Sequence, residues 1–171
     1  MWWRDGLRLA PAVLAGRIRA TPYKVLLSLT DRCNLRCAHC HAWRRRTAEL
    51  TPAEIGRTLA SMPGLRWLDI TGGEPTLRPD LDACVGAMAP ALQRAVFVHF
   101  PTNGWRVAAA AALAVGLRDA SPARVVVTVS VDGPPEVHDR LRGRAGSFVR
   151  ALETWRRLDG IPGIEVFVGT T

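Results

Sequence analysis

The stretch RCNLRCAHCHAW, residues 32–43, decides how the rest of this chain is read. It gathers three of the four cysteines, Cys33, Cys37 and Cys40, into eight positions with the spacing C-x3-C-x2-C. Cys84 stands far away in a helical pattern and reads as a small buried hydrophobe. A secreted disulfide scaffold uses many more cysteines. Residues 1–20 interleave Arg4, Asp5, Arg8, Arg17 and Arg19 with apolar residues, so no uninterrupted secretory h-region forms. No apolar run reaches bilayer length. The cysteines therefore read as reduced thiols in a cytoplasmic protein, available to a metal.

The loop is preceded by a strand and followed by a regular alternation. YKVLLSL, 23–29, reads as a strand buried on both faces. Thr51, Pro52 and Glu54 form a capping-box signature and predict a helix over 52–61. RWLDI, 66–70, is the next strand, ending at TGGEPTLRPD, and LDACVGAMA follows as a helix entered through Pro79. AVFVHF, 95–100, ends at PTNG, and WRVAAAAALAVG is a helix of strong propensity expected to stop near Gly116. ARVVVTVSV, 123–131, ends at DGPP; SFVRALETWRRL, 147–158, is a helix with Ser147 as N-cap; GIEVFVG, 163–169, is a fifth strand. Strand-then-helix alternation predicts an α/β fold with a parallel sheet, its site beyond the C-terminal strand ends. Upstream, Trp3, Leu7, Ala10, Leu14 and Ile18 recur at helical spacing with Pro11 among them, predicting a broken amphipathic helix packed on the body of the fold.

The formal net charge is +8, a value that invites a nucleic-acid or membrane reading. Its distribution argues otherwise. Residues 1–50 hold ten Lys or Arg against three Asp or Glu, and residues 51–171 hold thirteen against twelve. The excess belongs to a basic amphipathic N-terminal segment, 1–22, and to the cysteine loop. A zinc-bearing nucleic-acid binder is the competing class: His39 or His41 would then serve as fourth ligand of a tetrahedral site. Structural zinc sites, however, usually present two separated ligand pairs. Three thiolates on one short loop instead suit three corners of an iron–sulfur cube whose fourth iron stays open.

Here the chain resembles the core of the radical S-adenosylmethionine (SAM) superfamily. RCNLRCAHC looks like its cluster loop, GGEP at 72–75 follows the second strand, TNG at 102–104 the third, and SVDGPPEVHDRLRG at 130–143 the fourth. The last segment is similar to that of members that modify peptides or mature cofactors. The resemblance spans Tyr23 to the C-terminus and implies a core domain over 23–171 folded as a parallel, partial (β/α)6-type barrel. It implies that Cys33, Cys37 and Cys40 ligate a [4Fe–4S] cluster. SAM bound at the open iron would be cleaved reductively to a 5′-deoxyadenosyl radical that acts on a peptide or cofactor precursor. A flavodoxin or ferredoxin would supply the electron.

Further residues acquire expected roles from that resemblance. Gly72 and Gly73 clear space for close backbone approach, Glu74 accepts from the SAM ammonium, and Pro75 completes the motif. His39 stacks beside adenine, Ser130 meets the ribose, and the Asn103 amide holds SAM or substrate. Gly104 is expected to cap the following helix, Asp132 to accept from a backbone N–H in its own turn, and His138 to lie on a loop surface. Asp69 and His99 sit near strand ends with no assigned orientation. Arg44 to Arg46 read as a solvated face. Two departures stand out: five strands where the family core has six, and no cysteine-rich extension. They lead to the expectation of a chain truncated after the fifth strand, either a longer enzyme's core or a non-catalytic iron–sulfur and SAM-binding module that needs a completing polypeptide.

Overall fold

The computed structural model describes residues 2–19, 21–45 and 47–171, without the side chains of Trp2 and residues 17–19. The chain runs α1 (Trp2–Arg19), β1 (Lys24–Ser28), α2 (Pro52–Ala60), β2 (Trp67–Thr71), α3 (Leu81–Leu92), β3 (Phe97–Thr102), α4 (Val107–Asp119), β4 (Arg124–Ser130), α5 (Pro135–Arg142), α6 (Ser147–Asp159) and β5 (Ile164–Gly169). The five strands form one sheet in sequential order, every neighbouring pair parallel. This is the expected partial (β/α) barrel. Side chains alternate between its faces. Leu27, Leu68, Ile70, Val98, Phe100, Val125, Val127 and Val129 point outward and are buried with Ile55, Leu59, Met88, Leu92, Leu117 and Leu158 of the helices. Each such fully buried side chain contributes about 1.5–3 kcal/mol.

The inner face is different. Register places Lys24, Trp67, Phe97 and Arg124 in one row, and Asp69, His99 and Val126 in the next. α1 reaches this face at Arg124 through Asp5, but β1 is left open there. Leu27 is buried on the helix side while Leu26 is 67% exposed on the other. The expectation of a first strand buried on both faces is corrected: β1 is an edge strand packed on one face.

The capping box of α2 is complete. Thr51 Oγ accepts from the Glu54 N–H, and Glu54 accepts from the Thr51 N–H. Other helix ends differ from expectation. α4 continues through Gly116, which lies against Val85 instead of ending the helix, and reaches Asp119. Gly104 turns the chain with φ +73, but Arg106 is the N-cap of α4. α1 is one unbroken helix with Pro11 inside it on the exposed side, where the carbonyl left without an N–H partner can meet water. Its apolar stripe is also reversed: Trp3, Leu7 and Leu14 are each more than 60% exposed, while Asp5, Leu9, Ala12 and Val13 are half-buried. The Ile18 side chain and Arg46 lie outside the described residues. Asp5 ties α1 to Arg124 at 2.8 Å, and Arg124 also pairs with Glu165. No helix among the described residues is long and apolar enough to cross a membrane.

The sequence pattern did not announce α5. PEVHDRLR carries no apolar stripe; its buried residues are His138 and Arg142. α5 in turn caps α6. The α6 N-cap is Gly146, with φ +80, and Ser147 is the first helical residue. Asp139 supplies the missing acceptors: it takes the Gly146 N–H at 2.6 Å, the Phe148 N–H at 2.8 Å and the Ser147 hydroxyl at 2.8 Å. The Phe148 N–H bond leads the interactions that hold this carboxyl below the usual range.

Asp139→Ala should therefore cost about 0.5–2 kcal/mol, the usual value of a lost N-cap. Because the folded-state pKa is depressed, the difference from wild type is full above the unfolded aspartate pKa of about 3.9. It shrinks as pH falls through the lower folded value. Urea unfolding at a series of pH values measures both; a difference that grows on acidification would contradict the capping role.

Candidate functional site

The loops after β1, β2, β3 and β4 meet at one end of the sheet. They line a cavity of about 230 Å³ that touches Cys33, Cys37, Cys40, His39, Trp43, Gly73, Glu74, Asn103, Ser130 and Arg142. Eight of the expected site residues, Cys33, Cys37, Cys40, His39, Gly73, Glu74, Asn103 and Ser130, are thus brought together. Gly72 and Pro75 flank the Gly73–Glu74 wall in sequence, with Pro75 buried at the start of a short 3₁₀ turn.

Two backbone clamps hold the cysteine loop. On one side the Gly73 N–H donates to Thr30 O at 2.7 Å and the Glu74 N–H to Arg32 O at 2.8 Å. A Cβ on Gly73 would collide with Arg32 O. In this structure the glycine therefore clears space for the chain's own cysteine loop. On the other side the last turn of α5 receives the Arg36 N–H at Arg142 O, 3.2 Å, and the Ala38 N–H at Leu141 O, 2.8 Å. These are carbonyls that a helix end leaves without partners. Gly143 follows with φ +66, and a Cβ there would stand 2.5 Å from Arg36 O. Arg144 adds a bond from Nη1 to Asn34 O at 3.1 Å.

Side chains complete the frame. Glu74 is 1% exposed. Its Oε1 accepts from both hydroxyls of Thr76 and Thr102, at 2.7 and 2.9 Å, and its Oε2 accepts from the Asn103 N–H at 2.7 Å. Burial pushes this carboxyl up, and the bonds from Asn103, Thr76 and Thr102 oppose it. Oε2 keeps a lone-pair direction open beside the cavity. The Asn103 amide faces the cysteine loop, with Nδ2 2.9 Å from Asn34 Oδ1 and 3.9 Å from Cys33 Sγ. Arg142 likewise brings Nη1 to 3.9 Å from Cys37 Sγ.

Arg142 was not singled out by the sequence, nor was its network. Its guanidinium pairs with Asp132 at 2.7 and 2.9 Å, both groups buried. Asp132 accepts from Arg142 and from the Thr171 N–H, not from a backbone N–H of its own turn. Burial raises this carboxyl, but Arg142 outweighs it and holds the pKa below the usual range. His138 is fully buried instead of lying on the surface, its Nδ1 accepting the Asp132 N–H at 3.1 Å. Burial, with Arg142 nearby, keeps it neutral by lowering its pKa. Only the Arg-Gly pair ending SVDGPPEVHDRLRG signals this arrangement, as a helix end with a left-handed stop.

The three thiols differ. Cys37 is buried, Cys33 half-buried and Cys40 exposed, and all cysteines are free. Burial raises the pKa of Cys33 and Cys37, with Arg142 pulling Cys37 back. Cys84 is fully buried in the outer core, as expected. Among the described residues no group of three or more His, Cys, Asp or Glu side chains is gathered around one point. Cys33, Cys37 and Cys40 each border the same cavity as free thiols.

The chain is similar to known proteins in sequence and in fold. The sequence model of the radical SAM superfamily matches residues 27–168. A probable GTP 3′,8-cyclase of Thermococcus kodakarensis is 38% identical over 125 residues, covering 70% of this chain and 38% of the relative. Mycofactocin maturase MftC of Mycobacterium tuberculosis is 32% identical over 157 residues, covering 88% and 38%. Streptococcus suis SuiB bound to precursor peptide SuiA has a similar fold, with a TM-score of 0.68 at 16% identity, covering 94% of this chain and 36% of that one. The chain spans under two fifths of the length of each. The family match runs from β1 to β5 and takes in every loop around the cavity, so this chain belongs to the radical SAM superfamily.

Proposed function

We propose that this chain is the cofactor-holding core of a radical SAM maturase, seating a [4Fe–4S] cluster and SAM, and that it modifies a peptide or cofactor precursor only together with further polypeptide. One observation carries this reading: the cysteine loop, Glu74 of GGEP, Asn103 of TNG and Ser130 all line one cavity beyond the strand ends. The names of relatives, a maturase and a precursor-peptide complex, support the substrate class. The share of each relative that the chain spans supports the need for more polypeptide, whether joined to it or separate. A cytoplasmic setting with a flavodoxin or ferredoxin as reductant completes the proposal.

When bound, the cluster and SAM supply a low-potential electron and a 5′-deoxyadenosyl radical. The chain's residues do the rest. Cys33, Cys37 and Cys40 anchor three irons as thiolates. The open direction at Glu74 Oε2 accepts a charge-assisted bond from the SAM ammonium. Ser130 and His39 border the space for ribose and adenine. Arg142 and Asn103 aim N–H groups at the Cys37 and Cys33 sulfurs, where such donors set cluster potential.

Anaerobic reconstitution with iron and sulfide should load about four irons per chain, with an electron paramagnetic resonance signal that SAM perturbs. Alanine at Cys33, Cys37 or Cys40 should abolish this, and alanine at Cys84 should not. Glu74→Gln should keep iron while weakening SAM binding about tenfold or more, the value of a lost charge-assisted bond. Stoichiometric zinc with no iron uptake would sink the proposal.

The α5 clamp generates a second expectation. Gly143→Ala and Gly146→Ala impose similar left-handed backbone strain, roughly 1 kcal/mol each. Only at Gly143 does the new methyl push on the cysteine loop; at Gly146 it meets nothing within 4 Å. Iron content after limiting reconstitution should fall for Gly143→Ala and hold for Gly146→Ala. Equal iron in the two would remove α5 as a support of the cluster loop.

A further inference from the structure

A polar chain crosses the inner face of the sheet, away from the cysteines. Lys24 Nζ of β1 lies 2.8 Å from Asp69 Oδ2 of β2. Asp69 Oδ1 accepts the Trp67 indole N–H at 3.0 Å and faces His99 Nδ1 of β3, also at 3.0 Å. His99 Nε2 meets Thr128 Oγ1 of β4 at 2.9 Å. Four adjacent strands thus place one linked group each on a face that barrels normally fill with branched apolar side chains.

The chemistry of the chain is directional. Burial raises the Asp69 carboxyl, but bonds from Lys24 and Trp67 outweigh this and hold it below the usual range, so it is an acceptor only. Nδ1 of His99 must then carry the hydrogen. When the ring carries that one hydrogen, Nε2 is an acceptor and the Thr128 hydroxyl donates to it. The group is also reachable: the His99 side chain is 25% exposed and Asp69 14%. Its place in the fold matters as much. Pro101 and Ser130 stand two residues beyond His99 and Thr128 on the same strands and same face, and both line the cysteine cavity. Two residues of strand span about 7 Å. Anything lying on the inner face with one end in that cavity passes over His99 and Thr128.

We propose that Asp69, His99 and Thr128 form a proton relay for a substrate that carries a thiol or hydroxyl and sits on this inner face. The substrate S–H or O–H bond breaks as its proton passes to Thr128 Oγ. The Thr128 hydrogen passes to His99 Nε2. The products are a substrate anion and an imidazolium facing the Asp69 carboxylate; no electron moves. Thr128 and His99 act on the substrate, and Asp69 is a positioning residue. The inference goes beyond the cofactor-holding reading, which assigns no role to Asp69, His99 or Thr128.

The test uses diethyl pyrocarbonate, which acylates reachable, unprotonated imidazole nitrogens, followed by peptide mass mapping. It is run on the iron-free protein and on Cys33→Ala, so failure of the cluster assignment leaves the outcome untouched. The other three histidines are internal references: His39 and His41 are exposed, and His138 is fully buried. His99 should react at a rate near that of His39 and His41 while His138 stays unmodified. Asp69→Asn should slow His99 about tenfold, since the developing cation loses a charge-assisted partner. Thr128→Val, which takes the hydroxyl off Nε2, should speed it. A His99 as inert as His138 in the native protein would overturn the proposal without recourse to any variant. So would an unchanged rate in a folded Asp69→Asn protein, or in Thr128→Val.

Discussion

Everything at the functional end of this molecule depends on main-chain hydrogen bonds made to the cysteine loop from two sides. Gly73 and Glu74 donate to Thr30 O and Arg32 O. Leu141 O and Arg142 O accept from Ala38 and Arg36. A loop whose secondary structure is one short 3₁₀ turn at Ala42–Arg44 has no ladder to satisfy most of its backbone, and burying it would be costly. Here the loops after β2 and β4 supply the partners. The sequential parallel order of the strands makes that possible, because it brings successive loops to the same end of the sheet. Glycine at 73 and 143 is what lets the two clamps close.

The buried charges follow from the same constraint. Glu74 lies in the wall between the β2 and β3 loops, where it accepts from Thr76, Thr102 and Asn103. Arg142 is enclosed with Asp132, its forked guanidinium meeting the carboxylate twice. Buried pairs of this kind seldom add net stability over an apolar pair, but losing one partner strands the other. They fix which loop sits against which, and in doing so they point N–H groups at Cys33 and Cys37.

The alternation of strands and helices was legible because apolar periodicity reports burial, and the outer face of this sheet is buried in the ordinary way. The capping box at Thr51 and the position of Cys84 were legible for equally local reasons. What escaped was held by polar groups. α5 carries no apolar stripe and is anchored through His138 and Arg142, so a helix that clamps the site looked like a surface loop. Asp139 replaced Ser147 as the source of the α6 cap from a neighbouring helix, which no window on α6 alone contains. The stripe on α1 predicts a helix broken near Pro11 with its apolar side inward; α1 is instead unbroken, and Trp3, Leu7 and Leu14 share its exposed side with Arg4 and Arg8. The chain from Lys24 to Thr128 on the inner face was invisible for another reason. It links one residue from each of four strands, and only register brings them together.

The central claim is that the cysteine loop is shaped by the protein before any metal arrives. Amide hydrogen exchange on the iron-free chain, read residue by residue by nuclear magnetic resonance, tests it directly. The account predicts that the amides of Arg36, Ala38, Gly73 and Glu74 exchange at least about a hundredfold more slowly than in an unstructured peptide, as amides held within a folded unit do. Exchange of all four at the unstructured rate, with protection appearing only when iron and sulfide are added, would contradict it.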